Sequence, residues 1–188
     1  MKSFLEMEEY AKEHYVPIAR KDMIVYLKDV IKNNNYHTFL EIGSAIGYTA
    51  INLAMLDDFK VTTLEKNEEM YKLCLESIND FKVNDKVEAL LVDALEYQTD
   101  KKFDIIFIDA AKTKNIVLFE RYKDNLNDDG LIIIDNIELK DLKRMAKPKK
   151  VAFYEQKIEE LKEYLATLKD YIVEYNDVGD GIAIIRKK

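Results

Sequence analysis

Cysteine is almost missing from the 188 residues of this chain. Its single copy, Cys74, excludes an internal disulfide and any cysteine zinc cluster. A reducing cytoplasm is the compartment that such usage fits. No apolar run approaches the roughly 18 residues that a membrane span needs. The first residues, "MKSFLEMEEYAKEH", carry acids where a secretory leader needs an apolar core. An excess of positive charge is lacking too. The net charge is −7, so the protein as a whole is not built to coat nucleic acid, and any RNA contact has to come from a local basic patch. Internal repeats, low-complexity tracts and an interdomain linker are absent as well.

What is present suits one globular domain, residues 1–188, with 48% hydrophobic composition to fill a core. Residues 4–14 and 20–32 read as two helices split by "VPI", and they set 1–35 apart from a core over 36–188. Strand and helix then alternate. "HTFLEI" reads as a strand and 47–56 as a helix; "KVTTLE" follows, then a helix over 67–81. "VEALLVD" and "FDIIFIDA" are the next strands, followed by a helix over 113–126 and the strand "GLIIIDN". A long helix covers 151–168, and "YIVEYNDVGDGIAIIRKK" reads as two strands around a turn at Gly179 and Gly181. Near-continuous apolar strands alternating with helices predict an α/β fold, a parallel sheet covered on both faces, to which the last hairpin adds an antiparallel strand.

Ligands in such sheets bind at the carboxyl ends of the strands. Here those ends carry Glu41 and Gly43, Glu65, Asp93, Asp109, and Asp135 with Asn136. Five acids at five strand ends are hard to explain as packing, because a carboxylate at a buried edge costs free energy unless something pairs with it. The stretch "FLEIGSAIGYTA", residues 39–50, narrows the ligand. A dinucleotide fingerprint needs a middle glycine where Ala45 stands. A P-loop needs a lysine that Gly47-Tyr48-Thr49 lacks. Glu65, 22 positions after Gly43, has the spacing to accept both ribose hydroxyls of an adenosine. S-adenosylmethionine fits: an adenosine without phosphates, and a sulfonium that tolerates acids. A tight glycine turn with an ordinary helix cap is the plain alternative.

Asp109, Asp135 and Asn136 form a second set. Three oxygen ligands without His or Cys describe a site for a hard cation such as Mg²⁺, and Lys112 follows Asp109 by three positions. Taken singly, these acids read as caps and the lysine as solvated surface. Directly downstream, "KDLKRMAKPKK" over 140–150 holds six basic residues, Lys140, Lys143, Arg144, Lys147, Lys149 and Lys150, against one acid. It reads equally as a phosphate-binding patch or as a solvated loop. His14 and His37 read as ordinary structural or surface histidines, and Cys74 as core.

"FLEIGSAIGYTA", "FDIIFIDAAK", "GLIIIDN" and "VGDGIAI" together resemble the cation-dependent O-methyltransferases of the catechol and caffeoyl-CoA type, over nearly the whole chain. "MEEYAKEHYVPI" with "FIDAAK" and "VGDGIAI" is most similar to the bacterial tRNA 5-hydroxyuridine methyltransferases. The resemblance implies a Rossmann-like fold with a seven-stranded sheet, the last strand antiparallel, and residues 1–35 partly a lid. It implies metal ligation by Asp109, Asp135 and Asn136, with Asp109 also near the methyl donor, and catalytic roles for Lys112 and Asp109. It implies cofactor contacts from Val16, Glu41, Gly43, Ser44 and Gly47, from Tyr48 and Thr49 next to them, from Glu65 at the ribose, and from Asp93 and Ala94 at the adenine. A homodimer is implied too. Asn115 departs from the family pattern, which often has an aromatic residue three places after the lysine. Fewer residues than usual precede "MEEYA", in a region that serves the dimer contact and lid in the family.

The expected chemistry follows. Two carboxylates and an amide leave coordination positions open for two neighbouring substrate oxygens. One of these then loses its proton more easily, with help from Lys112, and attacks the sulfonium methyl in line. The 5-hydroxyl and C4 carbonyl of 5-hydroxyuridine imitate a catechol in this respect. Methylation of 5-hydroxyuridine in tRNA is the first expectation, a small catechol-like substrate the second. A non-catalytic nucleotide- or RNA-binding protein is the third.

Overall fold

Ser3 starts the first helix. Its hydroxyl accepts the Glu6 N–H at 3.2 Å, and Tyr15 closes α1 (Phe4–His14) in the left-handed region. Met7 and Ala11, one turn apart, are its buried residues. In α2 (Lys21–Asn34) the buried set is Met23, Ile24, Leu27 and Ile31, the spacing of one helix face. Strands and helices then alternate as β1 (Thr38–Ile42), α3 (Tyr48–Ala54), β2 (Lys60–Glu65), α4 (Glu68–Phe81) and β3 (Val87–Leu91). Asn67 caps α4 by accepting the Met70 N–H at 3.0 Å. β1 pairs in parallel with β2, and β2 with β3. These elements make up the first of two compact units, Met1–Thr99.

The second unit, Asp100–Lys188, holds β4 (Phe103–Ile108), α5 (Asn115–Tyr122), β5 (Leu126–Asp135), α6 (Lys140–Met145), α7 (Pro148–Ala166), β6 (Tyr171–Asn176) and β7 (Ile182–Lys187). β4 and β5 run in parallel. β7 lies between β5 and β6 and is antiparallel to both. Ile105, Ile106, Phe107, Ile132, Ile133 and Ile134 are fully buried, as a strand covered on both faces requires. On α7, Ile158, Leu161 and Leu165 form the buried seam. The seven strands follow the order β3-β2-β1-β4-β5-β7-β6. In this computed structural model the backbone of residues 1–188 is described, and every side chain except that of Asp141. No helix among the described residues is long and apolar enough to cross a membrane.

Three elements differ from the sequence expectation. The helix expected over 113–126 is α5 alone, with a 3₁₀ turn before it at Lys112–Lys114 and another after it at Lys123–Asn125. The residue before α5, Lys114, provides no side-chain cap at its start. β5 begins at Leu126 and runs through the polar Asn127–Gly130 stretch. The β4–β5 register shifts between Phe103 and Ile105, which lets that stretch continue the strand. The basic run 140–150 is not one loop, because it contains α6 and the first turn of α7, with Pro148 at the first helical position.

Candidate active site

In the unit Met1–Thr99 the turn after β1 is held by backbone bonds to β2. Leu64 O accepts Gly43 N–H at 2.9 Å and Ser44 N–H at 3.3 Å. Ala45, in the left-handed region at φ 45, donates its N–H to Glu65 Oε2 at 2.9 Å. The other oxygen, Oε1, accepts Asn67 N–H at 2.8 Å. Each carboxylate oxygen keeps a lone pair for a further donor, so Glu65 both shapes the glycine turn and can still take ribose hydroxyls. Val92 N–H bonds to Glu65 O at 2.8 Å, which sets the end of β3 beside it. Asp93 in turn accepts Leu95 N–H at 2.9 Å. Ala94 is half-buried in the same segment.

Glu41 is 2% exposed and accepts the Thr63 hydroxyl. Ser44 is buried, and its hydroxyl has no hydrogen-bond partner other than the weakly polar Cys74 thiol. A buried hydroxyl with such spare capacity in a glycine turn fits a ligand that brings its own polar groups, as the methionine end of S-adenosylmethionine does. Gly47, at φ 83, tolerates no side chain: a Cβ there would stand 2.7 Å from the Cys74 sulfur. Cys74 is core, and burial, then the charge of Glu41, pushes its thiol up to about 12.

Three expected cofactor residues are placed less directly. The Tyr48 hydroxyl is turned to Glu8 at 2.8 Å and its ring meets Phe4 edge-on, so this side chain ties α3 to α1. Thr49 is buried on α3. Val16 is half-buried after α1, its N–H on Ala11 O at 2.9 Å. His14 stacks on Tyr10 and His37 bonds Asp58 O, both exposed and structural.

In the unit Asp100–Lys188 the second set gathers at the ends of β4 and β5. Asp135 is 7% exposed, and its Oδ1 accepts Asn136 N–H at 2.6 Å. Asn136 stands in the left-handed region at φ 61, and its Oδ1 accepts the Lys112 ammonium at 2.9 Å. Burial raises the Asp109 carboxyl above its usual range, and Lys112 opposes that shift. Asp135 is raised by burial first, by the charge of Asp109 next and least by that of Asp180, against the pull of the Asn136 N–H and Lys112.

The set thus holds two carboxylates that resist being ionised together, one amide oxygen with a spare lone pair, and one ammonium. Among the described residues no group of three His, Cys, Asp or Glu could hold a metal ion. A hard cation here would depend on two acids and an amide, with substrate or water completing its shell, which is how Mg²⁺ is usually held. A cleft of about 400 Å³ opens between residues 137–140 and α7, with Lys143, Glu155 and Lys162 on its walls and none of Asp109, Lys112, Asp135 or Asn136 in its lining.

The basic run divides. Lys140 reaches Asp177, and Lys143 reaches Glu155 at 3.2 Å. Lys147, Lys149 and Lys150 are exposed at the start of α7, a helix with no acid in its first turn and no side-chain cap. Arg144 is exposed on α6. The roles of two residues went unnoticed in the sequence. Ala45 matters only through its backbone and leaves no side-chain signal. Asp180 sits inside "VGDG", which reads as a plain turn.

The O-methyltransferase family model matches residues 5–188. Caffeoyl-CoA O-methyltransferase 1 of Eucalyptus globulus is 31% identical over 198 residues, 97% of this chain and 80% of that protein. A Staphylococcus aureus structure assigned to caffeoyl-CoA O-methyltransferase is 31% identical, with a TM-score of 0.88 over all of this chain and 93% of that one. The fold is shared with a Bacillus cereus O-methyltransferase in complex with SAH, at 24% identity and a TM-score of 0.79, covering 98% of this chain and 90% of that one.

Proposed function

The chain belongs to the O-methyltransferase family, of the caffeoyl-CoA type and dependent on S-adenosylmethionine, and from that premise we propose that it methylates a hydroxyl lying next to a second oxygen, with a hard divalent cation, Mg²⁺, as helper. The observation that carries this reading is the pair of raised strand-end acids, Asp109 and Asp135, beside Lys112 and Asn136. S-adenosylmethionine supplies the activated methyl. Glu65 holds its ribose, Ser44 and the turn at Gly43 and Gly47 receive its methionine end, and Asp93 with Ala94 faces its adenine. A bound cation would lower the pKa of the substrate hydroxyl and neutralise both acids. Asp109, Asp135 and Asn136 would hold it. Lys112 as an ammonium orients Asn136 and adds positive charge for the oxyanion; in its neutral form it would instead take the hydroxyl proton.

The substrate in this proposal is 5-hydroxyuridine in tRNA, possessing its 5-hydroxyl beside the C4 carbonyl. What supports it is the start of α7. Three exposed lysines at the positive end of a helix, without a compensating acid, form an unfavourable arrangement that phosphates relieve. A homodimer, expected from the resemblance, belongs to the same proposal, and sedimentation would check it. A second reading, a small catechol-like substrate, is favoured by the caffeoyl-CoA relatives and by the pairing of Lys140 and Lys143 with acids, which shrinks the basic patch.

The test is direct. The protein is incubated with S-adenosylmethionine, Mg²⁺ and either 5-hydroxyuridine-containing tRNA or a free catechol, with and without excess chelator. Chelator-sensitive formation of 5-methoxyuridine at a higher kcat/KM than catechol methylation is the expected outcome. Preference for the catechol would install the second reading. Full activity in chelator would overturn the cation.

A further inference from the structure

The turn "VGDG" has no role in the chemistry above, yet Asp180 inside it is 6% exposed. A carboxylate is seldom buried without partners that hold it there. Its partner is found forty residues away: Asp180 Oδ1 accepts the backbone N–H of Lys140, the first residue of α6. Two further bonds run between the same segments. Glu138 N–H reaches Asp180 O at 3.0 Å, and Ile137 N–H reaches Gly181 O at 2.9 Å. The Lys140 ammonium adds an ion pair to Asp177. The segment that follows Asn136 is therefore bonded, residue after residue, to the β6–β7 turn.

That segment needs holding. Asn136 and Leu139 both stand in the left-handed region, at φ 61 and φ 57, and they bracket Ile137 and Glu138. For Leu139, which carries a Cβ, this conformation is strained. α6 is short and has no side-chain cap from its own N-cap residue, Leu139. Asp180 supplies the missing acceptor from the turn. Gly181, at φ 77, belongs to the same device, because a Cβ there would collide with the Glu138 side chain.

We infer that Asp180 is a positioning residue: by hydrogen-bonding the Lys140 N–H it fixes the turn 136–139, and so the direction in which Asn136 presents its amide oxygen. Through that bond it acts on the cation site by way of Asn136, as outer partners orient ligands in metal sites. The inference rests on the reading of Asp109, Asp135 and Asn136 as that site.

Two variants and two measurements test it. Asp180→Asn keeps a carbonyl acceptor for the Lys140 N–H, whereas Asp180→Ala removes it. Thermal stability is measured against Mg²⁺ without S-adenosylmethionine, and S-adenosylmethionine affinity is measured by calorimetry. Asp180→Ala is expected to raise the Mg²⁺ concentration for half-maximal stabilisation by about 10–100-fold. S-adenosylmethionine affinity should stay unchanged, and Asp180→Asn should remain close to the parent. Hydrogen exchange of the Ile137, Glu138 and Lys140 amides is followed without any cation, and Asp180→Ala should release them. Parental Mg²⁺ binding in Asp180→Ala, or an Asp180→Asn variant as impaired as Asp180→Ala, would overturn the inference, the latter because charge and not the bond would then matter. A parent that never responds to Mg²⁺ would instead remove the cation reading, and retained amide protection in Asp180→Ala would remove the clamp itself.

Discussion

The strand-end acids of the two units meet opposite surroundings. In Met1–Thr99, Glu41 accepts a threonine hydroxyl, Glu65 accepts two backbone N–H groups, and Asp93 accepts one. Each is committed before any ligand arrives, and each commitment shapes the turn it sits in. In Asp100–Lys188, Asp109 is raised by burial and Asp135 by burial and the charge of Asp109, with one ammonium and one backbone N–H to offset them. The first arrangement suits a neutral ribose and a zwitterionic methionine end, recognised by shape and hydrogen bonds. The second keeps an electrostatic cost that a divalent cation would remove. The difference teaches where the ligand's charge has to be found: the first unit is balanced as it stands, and the second is not.

The largest effect should come from removing that imbalance. Asp135→Ala takes away one of two carboxylates available to a cation. Methyl transfer should fall by about a thousand-fold or more, since several kcal/mol of charge stabilisation are lost at about 1.4 kcal/mol per factor of ten. S-adenosylmethionine binding, proposed to rest on Glu65 and the turn at Gly43 and Gly47, should stay near the parental value, because Asp135 is not among the residues proposed to hold it. Calorimetry and a single-turnover assay separate the two. A parallel loss of cofactor affinity would mean that the acids of the second unit serve the cofactor.

The reverse substitution breaks the comparison from the other side. Glu65→Ala should weaken S-adenosylmethionine by about 1–3 kcal/mol, the cost of losing a charged acceptor. It also frees the Ala45 and Asn67 N–H groups, so the melting temperature should fall with it. Mg²⁺-dependent stabilisation should be untouched. Loss of the Mg²⁺ response in this variant would contradict a division of labour between the units.

The two units also differ in how much of them was legible in the sequence. Glu41, Glu65, Asp109 and Asp135 were visible because each ends an apolar run whose length and period mark a buried strand. The balance around them was not. The Ala45–Glu65 bond joins a backbone group to a side chain 20 positions on, and nothing in the residue type announces it. Asp180 is legible only as part of a turn, since its partner is the backbone of Lys140. α6 was missed because its charged run has no apolar period and its acceptor comes from another element. β5 was cut short because Asn127–Gly130 looks like a turn, and only the register shift against β4 keeps it in the sheet. Local pattern gives the elements; long-range hydrogen bonds decide how their ends are finished.

A smaller effect concerns Lys147, Lys149 and Lys150. Replacing all three with Ala should raise the KM for tRNA about tenfold at moderate salt. It should also lower the slope of log affinity against log salt by roughly 2–3, because fewer counterions are released. A free catechol should be methylated at the parental rate, since the acids, Asn136 and Lys112 are intact. Equal losses on both substrates would mean that the start of α7 shapes the active site. No loss on either would favour the small-molecule reading.

The smallest effect is on stability alone, and it carries a sign. Asp109 and Asp135 have folded-state pKa values raised above the unfolded carboxylate range. Between the unfolded and folded values the native state binds more protons than the unfolded chain, so stability falls as pH rises through that window. The loss is complete above the folded pKa and is recovered as pH drops toward the ordinary carboxylate value. In chelator, urea unfolding of the parent should therefore show weaker stability at pH 8 than at pH 5. Asp135→Asn removes the more buried charge while keeping the shape and an acceptor for the Asn136 N–H. It should gain about 1–2 kcal/mol over the parent at pH 8, the order of the cost of a poorly compensated buried polar group, and show a shallower pH slope. Mg²⁺ should supply the same stabilisation to the parent and none to the variant. An Asp135→Asn protein less stable than the parent in chelator at pH 8 would show that the Asp135 carboxylate is already compensated in the fold, and the contrast between the two units would then disappear.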